Sequence, residues 1–254
     1  FHESAGRPAG VSWLAQAQGL LLVMTSANPG GEPLVVDDDE AHRRLAGIAD
    51  AVLAHDRAIV ARCDDSVVRV GSAGLPQFVR RARGFTPRAV RLAGDGPNVV
   101  ATGGWFKDTA CVTRGDEAFL TPHVGDLDNA PTCSALEQAI DHLAGILEVV
   151  PDVVAHDLHP DFFSTRLAHE LAARWSVPAI GVQHHHAHVA AVAAEHRVDA
   201  PLLGLALDGV GLGADGTAWG GELLRFEGAA FARIGHLAPL RLRGGDRAAR
   251  EPWR

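Results

Sequence analysis

Apolar positions change their period several times along the chain, and each change predicts an element. The run GVSWLAQAQG at residues 10–19 predicts a short helix, and LLLVMTSAN at 20–28 predicts an apolar strand ending in a polar turn. Residues 37–56, DDDEAHRRLAGIADAVLAHD, space their apolar side chains at helical intervals. Acids fill the first turn of that stretch, where they suit the helix dipole. SVVRVG (66–71) and PQFVRRARG (76–84) predict two strands around the turn GSAGLP. The pattern then lapses through RRARGFTPRAVRLAGDGPN, whose Gly, Pro and Asp content predicts a linker with a boundary near residues 88–96.

Beyond the linker the pattern restarts. NVVATGG (98–104) reads as a strand, and DTACVTRGDEAFLTP (108–122) as a hairpin turning at Arg114, Gly115 and Asp116. A helix over about 132–149, a strand at 152–159, a helix at 164–175 and a strand at 178–183 follow. A histidine-rich helix and a strand at 201–209 come next. Such alternation of strands and helices predicts an α/β layer architecture. Two parts are expected, 1–92 and 93–254.

The histidine helix, within GVQHHHAHVAAVAAEH at 181–196, carries the densest candidate chemistry. Positions four apart share a helix face, so His184 and His188 can point the same way. Two neutral imidazoles so placed can hold one divalent metal at ~2.0–2.1 Å per nitrogen. His185 with His188 is a poorer alternative pair. The apolar row Val189, Val192 and Ala193 turns this face partly inward, towards the next strand, which ends in Asp208. A carboxylate at the carboxyl edge of a sheet is a natural third ligand. A surface tract, or core histidines bonded to backbone carbonyls, is the competing explanation.

Glycine-rich LDGVGLGADGTAWGGE follows, with Gly209, Gly211, Gly213, Gly216, Gly220 and Gly221. Glycines let a backbone approach phosphates closely, and a tight hairpin uses them equally well. The strand before it leans the reading towards nucleotide. TGGWFKDT is a second candidate, because Lys107 could meet a phosphate as a point charge. In the first part, Ser26 and Asn28 of MTSANPGGEP could grip phosphate or cap their own turn. Ser66, Arg69, Arg80, Arg81 and Arg83 fall on adjacent strands and would suit an anionic ligand or ordinary edge protection.

Composition adds exclusions. The net charge of −8 argues against broad electrostatic affinity for nucleic acid. No apolar run reaches the ~20 residues of a membrane helix. Cys63, Cys111 and Cys133 are scattered without a CxxC pair, which suggests a reducing, cytoplasmic setting rather than a disulfide framework. Lys107 is the only lysine among 23 basic residues, a bias that looks like genomic base composition. The chain opens without Met and stops within GGDRAAREPWR, so it is expected to be a fragment cut at both ends.

These motifs together carry a resemblance. MTSANPGGEPL, HDRAIVARCDDSVVR and RRARGFTP resemble the carboxyl half of the YrdC-like domain of the HypF carbamoyltransferases, which mature [NiFe] hydrogenases. ATGGWFKDTACVTRGDEAFLTPHVGDLDN, VAHDLHPDFFSTRLA, VQHHHAHVAAVAAEH and LDGVGLGADGTAWGGELL resemble the domain that follows, which has an actin/Hsp70-like ATPase (ribonuclease H-like) fold. The resemblance implies an enzyme that uses carbamoyl phosphate and ATP, with Mg²⁺ accompanying the nucleotide. Carbamoyl-AMP is its intermediate, and the carbamoyl group passes to the C-terminal cysteine of HypE. By matching motifs, Ser26, Asn28, Ser66 and Arg81, or another arginine of RRARG, belong to the ATP and carbamate site. His184, His188 and Asp208 would hold zinc or iron. The segment from Gly209 to Gly221 and the GGWFKDT turn would meet nucleotide, and Lys107, His185 and Asp157 are the catalytic candidates. His185 and His186 would support the metal ligands or the substrate. A further ligand is expected from a downstream Asp.

Two other functions fit part of this pattern. An O-carbamoyltransferase acting on a small-molecule hydroxyl carries the two domains in the opposite order. A non-catalytic metal-binding scaffold would bind metal without nucleotide.

Overall fold

The computed structural model describes residues 19, 21, 23–72, 74–239, 247 and 251. The helix expected at 10–19 lies outside the described residues, apart from its last position.

Helix α1 (Asp38–Arg44) begins where Asp37 accepts a hydrogen bond from the Glu40 N–H at 2.8 Å. Arg44 closes its end by pairing with Glu32 at 2.6 Å and with Glu40. The helix expected to reach residue 56 therefore stops after seven residues. Gly47 takes φ +80° just past Leu45, a conformation that ends a helix readily, and Leu53 beyond it is fully exposed. The apolar strand expected at 20–28 is also corrected, since the described residues 23–28 form no strand. Val23 and Met24 are exposed, and the stretch is tied back by the Ala27 carbonyl, which accepts from the Val35 N–H at 3.0 Å. Strands β1 (Val67–Val70) and β2 (Pro76–Arg80) do pair, antiparallel, around a turn closed by the bond from Gly71 N–H to Leu75 C=O.

The second part is built on a five-stranded sheet of order β3-β5-β4-β6-β7. Its strands are β3 (Val90–Gly96), β4 (Val99–Ala101), β5 (Cys111–Leu120), β6 (Val153–Asp157) and β7 (Ala179–Val182). Strand β3 takes up much of the expected linker and joins this sheet. The hairpin expected at Arg114, Gly115 and Asp116 is instead the middle of strand β5. Gly115 takes φ +61° and Asp116 pairs with Arg91 of β3 at 2.7 Å, so the polar triplet makes an irregularity within a strand rather than a turn.

Strands β4, β6 and β7 run parallel, each crossover supplied by a helix. Helix α2 (Ala130–Leu147) starts at Asn129, whose side chain accepts from Thr132 N–H at 2.9 Å. Helix α3 (Phe163–Trp175) follows β6. Leu136, Ile140, Leu143, Leu167 and Leu171 from these helices bury against Val100, Val112 and Val154 of the sheet, which forms the core. Helix α4 (His184–Glu195) leaves the end of β7. It packs Val189 and Ala193 onto Ala206, Leu224 and Phe226 of an antiparallel sheet of β8 (Leu202–Leu212), β9 (Ala218–Glu227) and β10 (Ala230–His236). Val192, expected on the inward row, is mostly exposed, because the buried face of α4 is set by His185, Val189 and Ala193. No helix among the described residues is long and apolar enough to cross a membrane.

Candidate metal centre

Topology brings the carboxyl end of β6 beside the start of α4. Asp157 pairs in register with Val182, two residues before the first histidine of the row. Gln183 begins α4, its side-chain oxygen accepting from the His186 N–H at 2.8 Å. The first turns of the helix then bring His184, His185 and His188 to Asp208 of β8.

Three ligand atoms converge there. His184 Nε2 lies 2.8 Å from Asp208 Oδ2, His188 Nε2 lies 3.3 Å from His184 Nε2, and His188 Nε2 lies 3.7 Å from Asp208 Oδ2. All fall within 4.8 Å of one another. Two ligand atoms ~2.1 Å from one ion at a tetrahedral angle lie about 3.4 Å apart, close to the 3.3 Å between the two imidazole nitrogens. Two imidazoles and one carboxylate suit zinc or iron by charge and softness. These residues fit a divalent metal.

Behind this triad, His184 Nδ1 donates to Asp157 Oδ2 at 2.6 Å. His184 thus stands between two carboxylates, and a cation or a second proton must balance them. Its hydrogen bonds to Asp157 and Asp208 raise its pKa. Burial alone would raise the Asp157 carboxyl, but the bonds from His184 and from the His159 N–H outweigh it and lower the pKa. His185 is completely buried, with Gln183 Nε2 donating to its Nδ1 at 3.1 Å. Its Nε2–H has no partner among the described residues and lies 4.0 Å from Asp208 Oδ2. Burial, then the neighbouring His184 charge, lowers the His185 pKa. His186 turns away, with Nε2 at 2.9 Å from the Gly228 carbonyl and its ring against Phe226 and Phe231.

Around the triad the glycines from Gly209 to Gly221 are organised as a hairpin, the alternative that the sequence leaves open beside a phosphate-binding segment. Gly209 and Gly211 lie in β8, and Gly220 and Gly221 in β9. A Cβ on Gly211 would lie 2.5 Å from His184 Cδ2, and one on Gly213 would lie 2.1 Å from Trp219 Nε1. One on Gly221 would meet Leu237 at 2.5 Å. These three glycines give close approach to side chains of this chain, whereas Gly209 is open. Trp219 is held by Asp215 at 2.9 Å and covered by the Arg233 guanidinium 4.2 Å from its ring. Buried Glu222 accepts from Arg233 Nε at 2.6 Å and from the Gly220 N–H at 2.9 Å, which fixes the hairpin base.

The GGWFKDT turn is shaped by Asp108, whose Oδ1 accepts from the Gly104 N–H at 2.8 Å. Lys107 is exposed at φ +52°, with its N–H donated to Asp126 at 2.7 Å. A non-glycine residue held in that region costs ~1–3 kcal/mol and marks candidate functional turns.

In the first part, Ser26 and Asn28 line a cavity of about 290 Å³ with Arg62, Asp64, His123 and Gln138. Asn28 Nδ2 also donates to the Glu32 carbonyl at 2.7 Å, so it closes its own turn. Ser66 and Arg81 are not among the residues lining this cavity. The Ser66 hydroxyl accepts from Ala82 N–H at 2.8 Å and donates to Arg83 C=O at 2.9 Å. Arg81 donates to the Arg88 carbonyl at 2.9 Å. Sequence reasoning overlooked Arg62 on the cavity, and Gln183 and Glu222 around the histidines. None of these carries a local signal, since glutamine is not among the residues that ordinarily begin a helix.

Comparison with known proteins identifies the setting of these residues. Residues 94–195 match the HypF Kae1-like domain, and residues 204–254 the carbamoyltransferase Kae1-like domain, second subdomain. Residues 10–82 match the Sua5/YciO/YrdC family, described as telomere recombination. The chain is 68% identical to carbamoyltransferase HypF2 of Cupriavidus necator, over 100% of this chain and 32% of that protein. It is 58% identical to carbamoyltransferase HypF of Rhizobium leguminosarum bv. viciae, over 92% of this chain and 30% of that protein. A crystal structure of full-length HypF in a phosphate- and nucleotide-bound form superposes with a TM-score of 0.82 at 41% identity, covering 88% of this chain and 29% of that one. The crystal structure of T. kodakarensis HypF gives 0.81 at 37% identity, covering 89% and 29% respectively. The chain thus spans about 32% of the length of the first of these relatives. With both Kae1-like subdomain models and the YrdC-type model matched in order, the chain belongs to the HypF carbamoyltransferase family.

Proposed function

We propose that this chain is the part of an ATP-dependent carbamoyltransferase in which the carbamoyl group is received and passed on. The observation that carries the reading is the convergence of His184, His188 and Asp208 within the two segments that match the Kae1-like models. In this reading residues 1–92 are the carboxyl half of a YrdC-like adenylation unit and 93–254 are the ATPase-like transfer unit. The parent protein takes carbamoyl phosphate and ATP, with Mg²⁺, through carbamoyl-AMP to the C-terminal cysteine of HypE in the cytoplasm.

The residues divide the work by position. His184, His188 and Asp208 would hold zinc or iron, which supplies Lewis-acid polarisation of a carbonyl or phosphoryl oxygen. His185 presents a buried Nε2–H beside Asp208, placed to donate to a ligand oxygen. Lys107 offers its charge to phosphate from a turn that Asp108 and Asp126 hold in shape. Gly209 and Gly220 are placed where β8 and β9 could present backbone to nucleotide. Gly211, Gly213 and Gly221 let the hairpin close on His184, Trp219 and Leu237. Ser26 and Asn28 belong to the adenylation pocket, and Ser66 and Arg81 act on it through the 81–88 segment they hold.

Metal removal tests this. Chelating the full-length parent is expected to abolish transfer of labelled carbamoyl from carbamoyl phosphate to HypE, and added zinc or ferrous iron to restore it. Undiminished transfer by metal-free protein would contradict the reading.

A further inference from the structure

We infer that Asp157 is a positioning residue that makes His184 a metal ligand through Nε2. This rests on the reading of His184, His188 and Asp208 as a metal site. A carboxylate only accepts, so the 2.6 Å contact between Asp157 Oδ2 and His184 Nδ1 places a proton on Nδ1. Nε2, the atom that faces Asp208 and His188, is then the nitrogen whose lone pair a metal would take in place of the proton that Asp208 otherwise accepts. A histidine ligand whose other ring nitrogen donates to a carboxylate is fixed in tautomer and orientation, and becomes a stronger base.

Asp157 is built for that task. It is 8% exposed, at the last position of β6, where pairing with Val182 sets its distance from α4. Its Oδ1 accepts from His159 N–H at 2.8 Å, and its backbone carbonyl accepts from the Thr165 hydroxyl at 3.2 Å. Both carboxylate oxygens are thereby engaged, and only one faces His184. Asp208 differs: its Oδ2 meets three histidines at 2.8, 3.7 and 4.0 Å, the arrangement of a ligand rather than an orienting group. Asp157 stands behind the imidazole, away from Nε2, so it acts through His184 and does not touch substrate.

The test is zinc affinity of the full-length parent by chelator competition, with thermal unfolding measured alongside. Asp157→Asn keeps the shape and the acceptor for His159 N–H but loses the charge, and zinc affinity is expected to fall about 10- to 100-fold. Asp157→Ser carries the same expectation and decides the matter if the amide disturbs folding. His184→Ala serves as the control and should lose more. Wild-type zinc affinity in both Asp157 variants, with loss in His184→Ala, overturns the inference and leaves the metal site standing. Wild-type affinity in His184→Ala overturns both. A loss of zinc binding that only tracks a global loss of thermal stability also overturns it, because a loosened strand end would do that without positioning anything.

Discussion

Replacing Gly211 with alanine is expected to dismantle the histidine site from the opposite strand. The added Cβ would lie 2.5 Å from His184 Cδ2, 2.6 Å from Cγ and 2.9 Å from Cβ. Rotation of the ring cannot relieve the last contact, so α4 and β8 must separate. His184 would then leave Asp208 and Asp157 together. Overpacking of this kind costs ~1–3 kcal/mol in stability. The metal-site cost is larger in kind, since ligand geometry is the property disturbed, and zinc affinity should fall on the order of 100-fold. Gly209→Ala is the matched control, because open space surrounds its position. It should bind zinc normally, and it loses nucleotide affinity only where its backbone approaches phosphate. Normal zinc binding by Gly211→Ala would show that strand β8 does not set the position of His184.

Asp108 is expected to give the protein a stability that declines from acid towards neutral pH. The carboxyl is 3% exposed, and burial pushes its pKa up to about 7 despite bonds from Gly104 and Thr109. Its Oδ2 has no partner among the described residues. In the unfolded chain the group ionises near 3.8. Between those values the folded state keeps a proton that the unfolded state has released, so stability falls as pH rises through the interval and levels off above about 7. The full span corresponds to about 4 kcal/mol as an upper bound. Asp108→Asn removes the titration while keeping the acceptor for the Gly104 N–H. It should match the wild type near pH 4 and exceed it at pH 8. Thermal unfolding would show this, as would hydrogen exchange at the Val124 N–H, which bonds to the Asp108 carbonyl at 2.9 Å. Equal pH dependence in the two proteins would mean that Asp108 is not the group responsible.

Much of the second part was legible because its short apolar strands alternate with helices of clear period. The parallel strands at 98–104, 152–159 and 178–183 are short apolar runs between helices with clear periodicity, and the structure keeps all of them in shortened form. The first part was less legible. Helix α1 ends at Arg44, and just beyond it Gly47 turns the chain at φ +80°, so the apolar spacing that continues to residue 56 builds no further helix. Arg114, Gly115 and Asp116 look like a turn in one dimension, and they stay within a strand because β5 pairs with β3 through Gly115, Glu117 and Ala118 and with β4 through Cys111 and Val112.

At the site, helical spacing alone put His184 and His188 on one face. It could not place Asp157 behind His184, since that follows from β6 and β7 being adjacent in the sheet. Nor could it separate glycines that accommodate an imidazole or an indole from glycines that leave open space. That distinction exists only once β8 and β9 fold against α4.

Metal content of the full-length parent, measured beside a His184→Ala/His188→Ala double variant and with carbamoyl transfer to HypE assayed in parallel, bears most directly on the central claim. About one zinc or iron per chain in the wild type is expected, with metal and transfer both lost in the variant. A variant that keeps its metal would place the ion elsewhere, and one that loses the metal but still transfers would make the ion structural.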